Sequence, residues 1–402
     1  MMKRIFIYCL TVIVVCTVVS CSDDEQFTTS RTDVLSLPDD TLKMDTIFSG
    51  VPSSTYTFWI RNKNSHALRV SDVRLGDGTK GFRVNVDGEY LNPSISGLEV
   101  LGKDSVLVFV ELTPRATSEL EPQPIDEQLV LTLESGVEQR IQLRAWAWDA
   151  ERWTDKTVTS DEEVSTDKPI LVYGKLTVAE GAKLTVKGST LYFHEDVMLE
   201  VAGTLEAENV TMRGDRLDDM FSYLPYDNVS GQWQGIRVME NAHVSMTDCN
   251  VHGTYLGMTV AEGAVVQLTR TVIHNNAGAG IYATGAELTL DHCLLSNCEG
   301  SLLSTLNSHV TLTYCTLAQY YPFAIRDTAL LLGEGTTHNI EKMLIAGYEE
   351  ELISLEEGVE EIPEEAYHIA EKEDFVLIDE ENLIYDFHLK PDTESAGYGF
   401  DY

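Results

Sequence analysis

Carboxylates and aromatic rings gather in one stretch, 214–233, which carries Asp215, Asp218, Asp219 and Asp227 interleaved with Tyr223, Tyr226 and Trp233. Aromatic rings beside carboxylates suit a sugar, because a ring face stacks on the pyranose while polar groups take its hydroxyls. These residues form the candidate ligand-binding set. Asp218 with Asp227 also offers an acid–base pair, but neither a separation nor a pKa follows from sequence, so no catalytic residue is assigned. A second reading stands beside the first: Phe221, Leu224 and Trp233 pack back over the rest of the fold and the stretch is structural.

Other reactive side chains give less. His252 and His274 are 22 residues apart, with His243 nearby, and they read as outward residues of a solvent face. No carboxylate or thiolate completes a metal site at matching spacing, and no cofactor is expected. Of seven Cys, Cys9 and Cys16 lie in the first 20 residues and Cys21 follows them. Cys249, Cys293, Cys298 and Cys315 are too few and too clustered for a disulfide-stapled scaffold, and are expected as buried thiols,.

What must position the candidate set is a repeat. The stretches Val244–Val251, Val266–Ile273, Leu288–Leu295 and Val310–Leu317 align without gaps, with starts at 244, 266, 288 and 310, a period of 22,. Two earlier units run Leu184–Leu191 and Leu205–Met212, and a looser one lies near Ile340–Ile345. Apolar and polar residues alternate within each unit, and turn residues such as Gly257, Gly278, Gly285 and Gly300 separate them. Each unit is therefore one coil of a parallel β-helix, in which one coil shelters the next. Val244, Val266, Leu288 and Val310 should form one internal file, and Cys249, Thr271, Cys293 and Cys315 another. Asn275 and Asn297 should stack at a turn. From 205 to 244 is 39 residues, about 17 more than one coil, so 214–233 is an insert in a rigid solenoid, where binding residues tend to sit.

Upstream, short strands such as Tyr56–Ile60, Phe82–Val86, Val106–Val110 and Leu129–Leu133 are separated by turns with no helical period. They predict an antiparallel β-sandwich over 28–149. Residues 150–168, rich in Thr, Asp and Glu, read as a linker to a β-helix domain at 169–402. The fold class is all-β.

The first 20 residues read as an export signal: Lys3 and Arg4, then the 15-residue apolar run Ile5–Val19, too short for a transmembrane helix,. Val18-Val19-Ser20-Cys21 resembles a lipobox, which implies cleavage before Cys21 and acylation of it. Ser22-Asp23-Asp24-Glu25 is similar to the acidic tether (21–27) of Bacteroidetes-type surface lipoproteins, and implies an outer-membrane, lipid-anchored, outward-facing protein. Phe58 to Asn64 followed by Leu68-Arg69-Val70 resembles the immunoglobulin-like modules that act as spacers behind such anchors. Residues 170–402 resemble right-handed parallel β-helices of the pectate-lyase-like superfamily, on Gly181–Phe193, Val201–Ala207 and Gln232–Ile236. Asp386–Pro391 looks like the family's final coil.

That family's enzymes cleave acidic polysaccharides with a carboxylate cluster binding Ca²⁺ and an Arg or Lys base. The outward row here reads Asp248, Arg270, His292, Tyr314, which does not supply the several oxygen ligands a calcium site needs. The motifs of the hydrolase branch are absent too. The chain has 28 basic and 65 acidic residues. Without residues 1–20, which hold Lys3 and Arg4, its net charge is 26 − 65 = −39. A field of that sign repels nucleic acid and anionic lipid head groups. Fifteen of the acids fall in 349–381, read as a solvated cap on the open helix end. The expected function is a non-enzymatic binding or adhesion protein, anchored to the membrane by lipid and presenting its β-helix to a glycan or a surface protein. The alternatives are a carbohydrate-active enzyme working at the insert, or a structural component of a surface assembly.

Overall fold

The computed structural model of the protein describes residues 26–38, 41–221, 223–322, 328–348 and 351–401. The signal segment 1–20, Cys21 and the tether as far as residue 25 lie outside the described residues. The chain divides into two compact units, one of residues 50–115 and 124–146 with the N-terminal segment to 44, the other of 147–402 with 45–49 and 116–123.

The N-terminal architecture is an antiparallel sandwich. One sheet holds Leu68–Leu75, Gln123–Leu133, Glu138–Trp148 and Thr41–Phe48, with short strands at 94–95 and 98–100; the other holds Tyr56–Arg61, Ser105–Leu112, Phe82–Val86 and Glu89–Tyr90. Val108, Val110 and Leu112 alternate inward from one sheet and Leu129, Leu131 and Leu133 from the other, none more than 1 % exposed. Alternation with period 2 puts these residues on one face; Val130, between two of them, is buried on the other,.

The C-terminal architecture is a parallel β-helix. Each coil carries three short strands, for example Met258–Val260, Val265–Thr269 and Val272–His274, and each strand pairs in parallel with its counterpart one coil on. The expected internal file is present: Leu184, Leu205, Val244, Val266, Leu288 and Val310 are in register from coil to coil and at most 2 % exposed. Cys249, Thr271, Cys293 and Cys315 are buried likewise. The outward row Asp248, Arg270, His292, Tyr314 occupies a corner at which all four residues have φ between 46 and 54°. Its side chains pair up the stack: Arg270 Nε and Nη2 reach the two Asp248 carboxylate oxygens at 2.6 Å, and the His292 ring lies on Tyr314 at 5.0 Å.

Three expectations are corrected. Residues 150–168 are not a linker: Glu151–Val158 and Glu162–Ser165 pair in parallel with Ile170–Val178 and Lys183–Lys187 as the first coil. Trp153 and Val158 fill the interior while their polar neighbours face water, and the one-sided polarity mimics a linker. Asp386–Pro391 is not a coil: Ile384–Leu389 pairs antiparallel with Phe375–Asp379 in a hairpin. That hairpin and the tail lie on the outside of the helix, where Phe375, Phe387 and Phe400 pack on Leu294, Ala318, Leu344 and Ala346. The acidic segment 349–381 is more than a cap: Ile353–Leu355 and Tyr367–Ile369 belong to coils, and Ile362 and Ala366 join the interior core.

Candidate functional site

The site is built on the outer side of one helix face, the stack that includes Thr190–Phe193, Thr211–Gly214, Asn250–His252 and Val272–His274. The chain leaves this face at Gly214 and returns at Trp233, whose indole enters the interior. It is fully buried, stacks on Phe193 at 4.1 Å, and its Nε1 donates to the His252 carbonyl at 2.9 Å. Trp233 is therefore a core residue and no platform for a ligand. Gly235 then needs φ 98°, and a Cβ there would lie 1.6 Å from the Leu256 carbonyl oxygen, so the return is closed to any larger residue,.

Between these ends the insert forms a small hairpin, Asp219–Phe221 with Leu224–Pro225, and one 3₁₀ turn, Tyr226–Asn228. Its base is pinned by cations that sequence reasoning passed over. Arg216 grips both oxygens of Asp218 at 2.8 and 2.7 Å and covers the Tyr226 ring at 4.3 Å. Arg213 ion-pairs with Asp227 and donates to the Arg216 carbonyl at 2.7 Å. Gln232 Nε2 donates to the carbonyls of Val229 and Tyr226, and Asn275 Nδ2 donates to that of Asp227 at 3.3 Å. On the far side Leu224 joins Tyr321 and Leu383 in an apolar plug, while the Tyr321 hydroxyl donates to the Asn228 carbonyl at 2.7 Å.

Beneath the insert, His252 and His274 stack with ring centroids 4.7 Å apart. They face outward from their strands, as expected, but His252 is 5 % exposed and His274 partly buried under the insert, rather than part of a solvent face. Burial pushes His274 down to about 4, and pushes His252 well below the usual imidazole range with help from His274 and Arg213. His274 Nε2 meets Asn250 Oδ1 at 3.1 Å, while His252 Nδ1 is buried without a partner.

The candidate residues therefore sit in separate surroundings. Asp218 and Asp227 are held in ion pairs, Tyr226 lies under Arg216, and Trp233 is in the core. Asp215 turns away from the hairpin to His194, whose Nδ1 is 2.8 Å from its Oδ2, with Tyr173 beside that ring at 5.0 Å. Burial raises the Asp215 carboxyl, against the opposing pull of His194. At the tip, Asp219 is exposed and Tyr223 stacks on Phe221 at 5.6 Å with 13° between planes, these rings being 64 % and 54 % exposed. The signal that could have found the pinned base is local: Arg216 stands two residues before Asp218, so the insert carries its own counter-charges.

Among the described residues no group of three or more His, Cys, Asp or Glu could hold a metal ion. The four thiols of the helix are free and buried.

Residues 226–339 match the family model described as right handed beta helix region. The C-terminal unit is thus a right-handed parallel β-helix. Solved structures similar to the chain include the catalytic domain of GH87 alpha-1,3-glucanase in complex with nigerose, at 10 % identity and a TM-score of 0.17, covering 74 % of this chain and 75 % of that one. Another is the catalytic unit of a thermostable GH87 alpha-1,3-glucanase from Streptomyces thermodiastaticus strain HF3-3, at 10 % identity and 0.15, covering 78 % and 89 %. No curated protein sequence matches.

Proposed function

We propose that the protein is a lipid-anchored surface protein that binds a neutral glycan at the tip of the β-helix insert. The observation that carries this reading is the exposed Phe221–Tyr223 stack on a base fixed by Arg213, Arg216 and Gln232. Exposed stacked rings offer an apolar face to the C–H side of a sugar ring, and a pinned base limits the ordering cost of binding. The acidity of the chain, −37 in all, favours a neutral ligand over an anionic one,. Acylated Cys21 supplies the anchor, the acidic tether the outward address, and the sandwich an immunoglobulin-like spacer. A glycan array probed with the chain should give neutral hits that Phe221→Ala and Tyr223→Ala abolish without lowering the melting temperature. Hits that survive both substitutions move the site elsewhere. Acyl labelling in cells, lost in Cys21→Ser, tests the anchor.

One observation favours the alternative of a carbohydrate-active enzyme. Asp215 is a partly buried carboxyl with a raised pKa that holds the half-exposed His194 through Nδ1, and such a pair can move protons,. Reducing-sugar release from a bound glycan, absent in Asp215→Asn, would establish it; glycans bound and left intact exclude it.

A further inference from the structure

The sandwich holds a concavity of opposite character to the rest of the chain. Arg61 at the end of one strand, Lys63 in the loop that follows, and Lys103 in the loop before the paired strand line a cavity of ≈ 430 Å³ with Asn62, Asp104 and Ser105. Its walls are built. Asn62, 1 % exposed, donates through Nδ2 to the carbonyls of His66, Val100 and Leu101 at 2.8, 3.0 and 3.1 Å, welding the two loops. Lys103 N–H donates to the Asn64 carbonyl at 3.1 Å. Gly102 packs so closely that a Cβ would lie 2.5 Å from the Ser65 carbonyl oxygen.

The charge here runs against its surroundings. In the same domain Arg69, Arg83, Arg140 and Arg144 each hold a carboxylate. Arg61, Lys63 and Lys103 form no ion pair among the described residues, and Asp104 is the single acid in the lining. Three cations gathered without carboxylate partners, the Lys103 ammonium also donating to the Lys63 carbonyl, give the cleft the charge to receive an anion in a chain with 65 acids and 28 bases,.

The route of the chain says which anion it meets. Phe27 bridges to Ala67, and Thr28 N–H donates to the Ala67 carbonyl at 3.0 Å. Asn64 Nδ2 donates to the Val34 carbonyl at 3.0 Å, and Ser36 and Arg61 exchange backbone hydrogen bonds of 2.7 and 3.0 Å. The N-terminal segment is thus sewn to the loop that carries Lys63. From Cys21 to Phe27 is 27 − 21 = 6 residues, at most about 20 Å of extended chain. With Cys21 in the bilayer, this end of the sandwich stands at the head groups. The molecule's net negative field does not forbid contact there, since exposed charges are screened beyond about 8 Å.

We propose that the Arg61–Lys63–Lys103 cleft binds phosphate and docks the anchored end of the sandwich on the phosphates of membrane lipids. The choice of lipid as the source rests on the proposed acylation of Cys21; the phosphate chemistry does not. The test uses the chain from Ser22 onward, which keeps every described residue and has no acyl group. It is sedimented with vesicles of equimolar phosphatidylglycerol and phosphatidylcholine, and with phosphatidylcholine alone. Partition onto the anionic vesicles should be higher by roughly 100-fold at physiological ionic strength, three basic residues near such a surface setting the scale. It should fall to the neutral-vesicle level in Arg61→Gln/Lys63→Gln/Lys103→Gln. It should persist in Lys43→Gln/Lys168→Gln/Lys175→Gln, which makes the same charge change elsewhere, and both variants are checked for unchanged melting. Equal loss in the two variants, or no preference for anionic vesicles, overturns membrane docking. Calorimetric binding of inorganic phosphate without vesicle binding assigns the cleft to a soluble phosphate and likewise overturns it. Acyl labelling of Cys21 in the full chain is scored separately, so failure of the anchor and failure of the cleft give different results.

Discussion

Acidification should loosen the insert, and the size of the effect follows from the imidazoles beneath it. His274 takes a proton near about 4 rather than 6.5 because burial disfavours the imidazolium,. His252 is shifted the same way, with Arg213 adding repulsion, while Asp227 acts on His274 in the opposite direction. Once the insert is lifted, both rings are solvated and titrate near the ordinary 6.5. The closed form is therefore fully favoured above that value and loses its advantage as pH falls toward 4. For His274, which is partly buried, the shift from 6.5 to about 4 corresponds to at most about 3 kcal/mol,. About 2 kcal/mol of this is lost between about pH 7.5 and about pH 5. The amides of Gly231 and Gln232 donate across to the carbonyls of Thr254 and Gly253, and report opening directly. Their hydrogen exchange, corrected for the intrinsic rate, should quicken about 30-fold over that range, the same energy converted to a ratio. Carboxylates with depressed pKa, such as Asp126 and Asp248, lose their stabilising charge only at lower pH. Unchanged protection, or the same pH dependence in His252→Gln/His274→Gln, would show that these imidazoles do not govern the insert.

Removing the buried indole by Trp233→Ala should cost ~3–5 kcal/mol in denaturant melts. Phe221→Ala and Tyr223→Ala, at exposed positions, should each stay within about 0.5 kcal/mol of the parent; a large loss at the tip would mean that it packs in solution. Burial raises the thiols of Cys249 and Cys298 to about 11 and lifts that of Cys315 well above the usual thiol range. All four thiols are buried, so in the chain from Ser22 a thiol reagent at about pH 8 should find none of them in the folded state and all of them after denaturation,. Rapid labelling of the native chain would show that the helix interior opens.

The internal files were legible because a solenoid repeats its constraints: each coil must present an apolar residue at the same register or leave its neighbour uncovered. A spacing of 22 from Val244 to Val310 therefore reports packing directly. Where the period breaks, register no longer separates core from solvent. Trp233 stands at the rejoining point, and whether it counts as the last residue of a loop or the first of a coil decides between solvent and core. Its bridge to Thr254 makes it the first of a coil. The first coil was hidden for a related reason, since Trp153, Val158 and Val164 alternate with acids and threonines on a strand that neighbours only one other coil.

The covered face carried a signal that alternation alone does not use. On the strands that bear the imidazoles, one outward position reads Thr190, Thr211 and Asn250 in early coils, then Val272 and Leu294, then Thr316 and Leu344. Apolar residues pointing out of a β-helix need a cover, and the hairpin and tail with Phe375, Phe387 and Phe400 provide it,. The insert closes the more polar stretch of the same face, so most of its length is committed to holding that layer down: Leu224 to the plug, Asp218 and Asp227 to arginines, Trp233 to the core. What it leaves unspent is the tip. Met220, Phe221 and Tyr223 are 45, 54 and 64 % exposed and belong to no core cluster. Apolar rings in water add little to folding, and held on a rigid base they have the form of a binding surface.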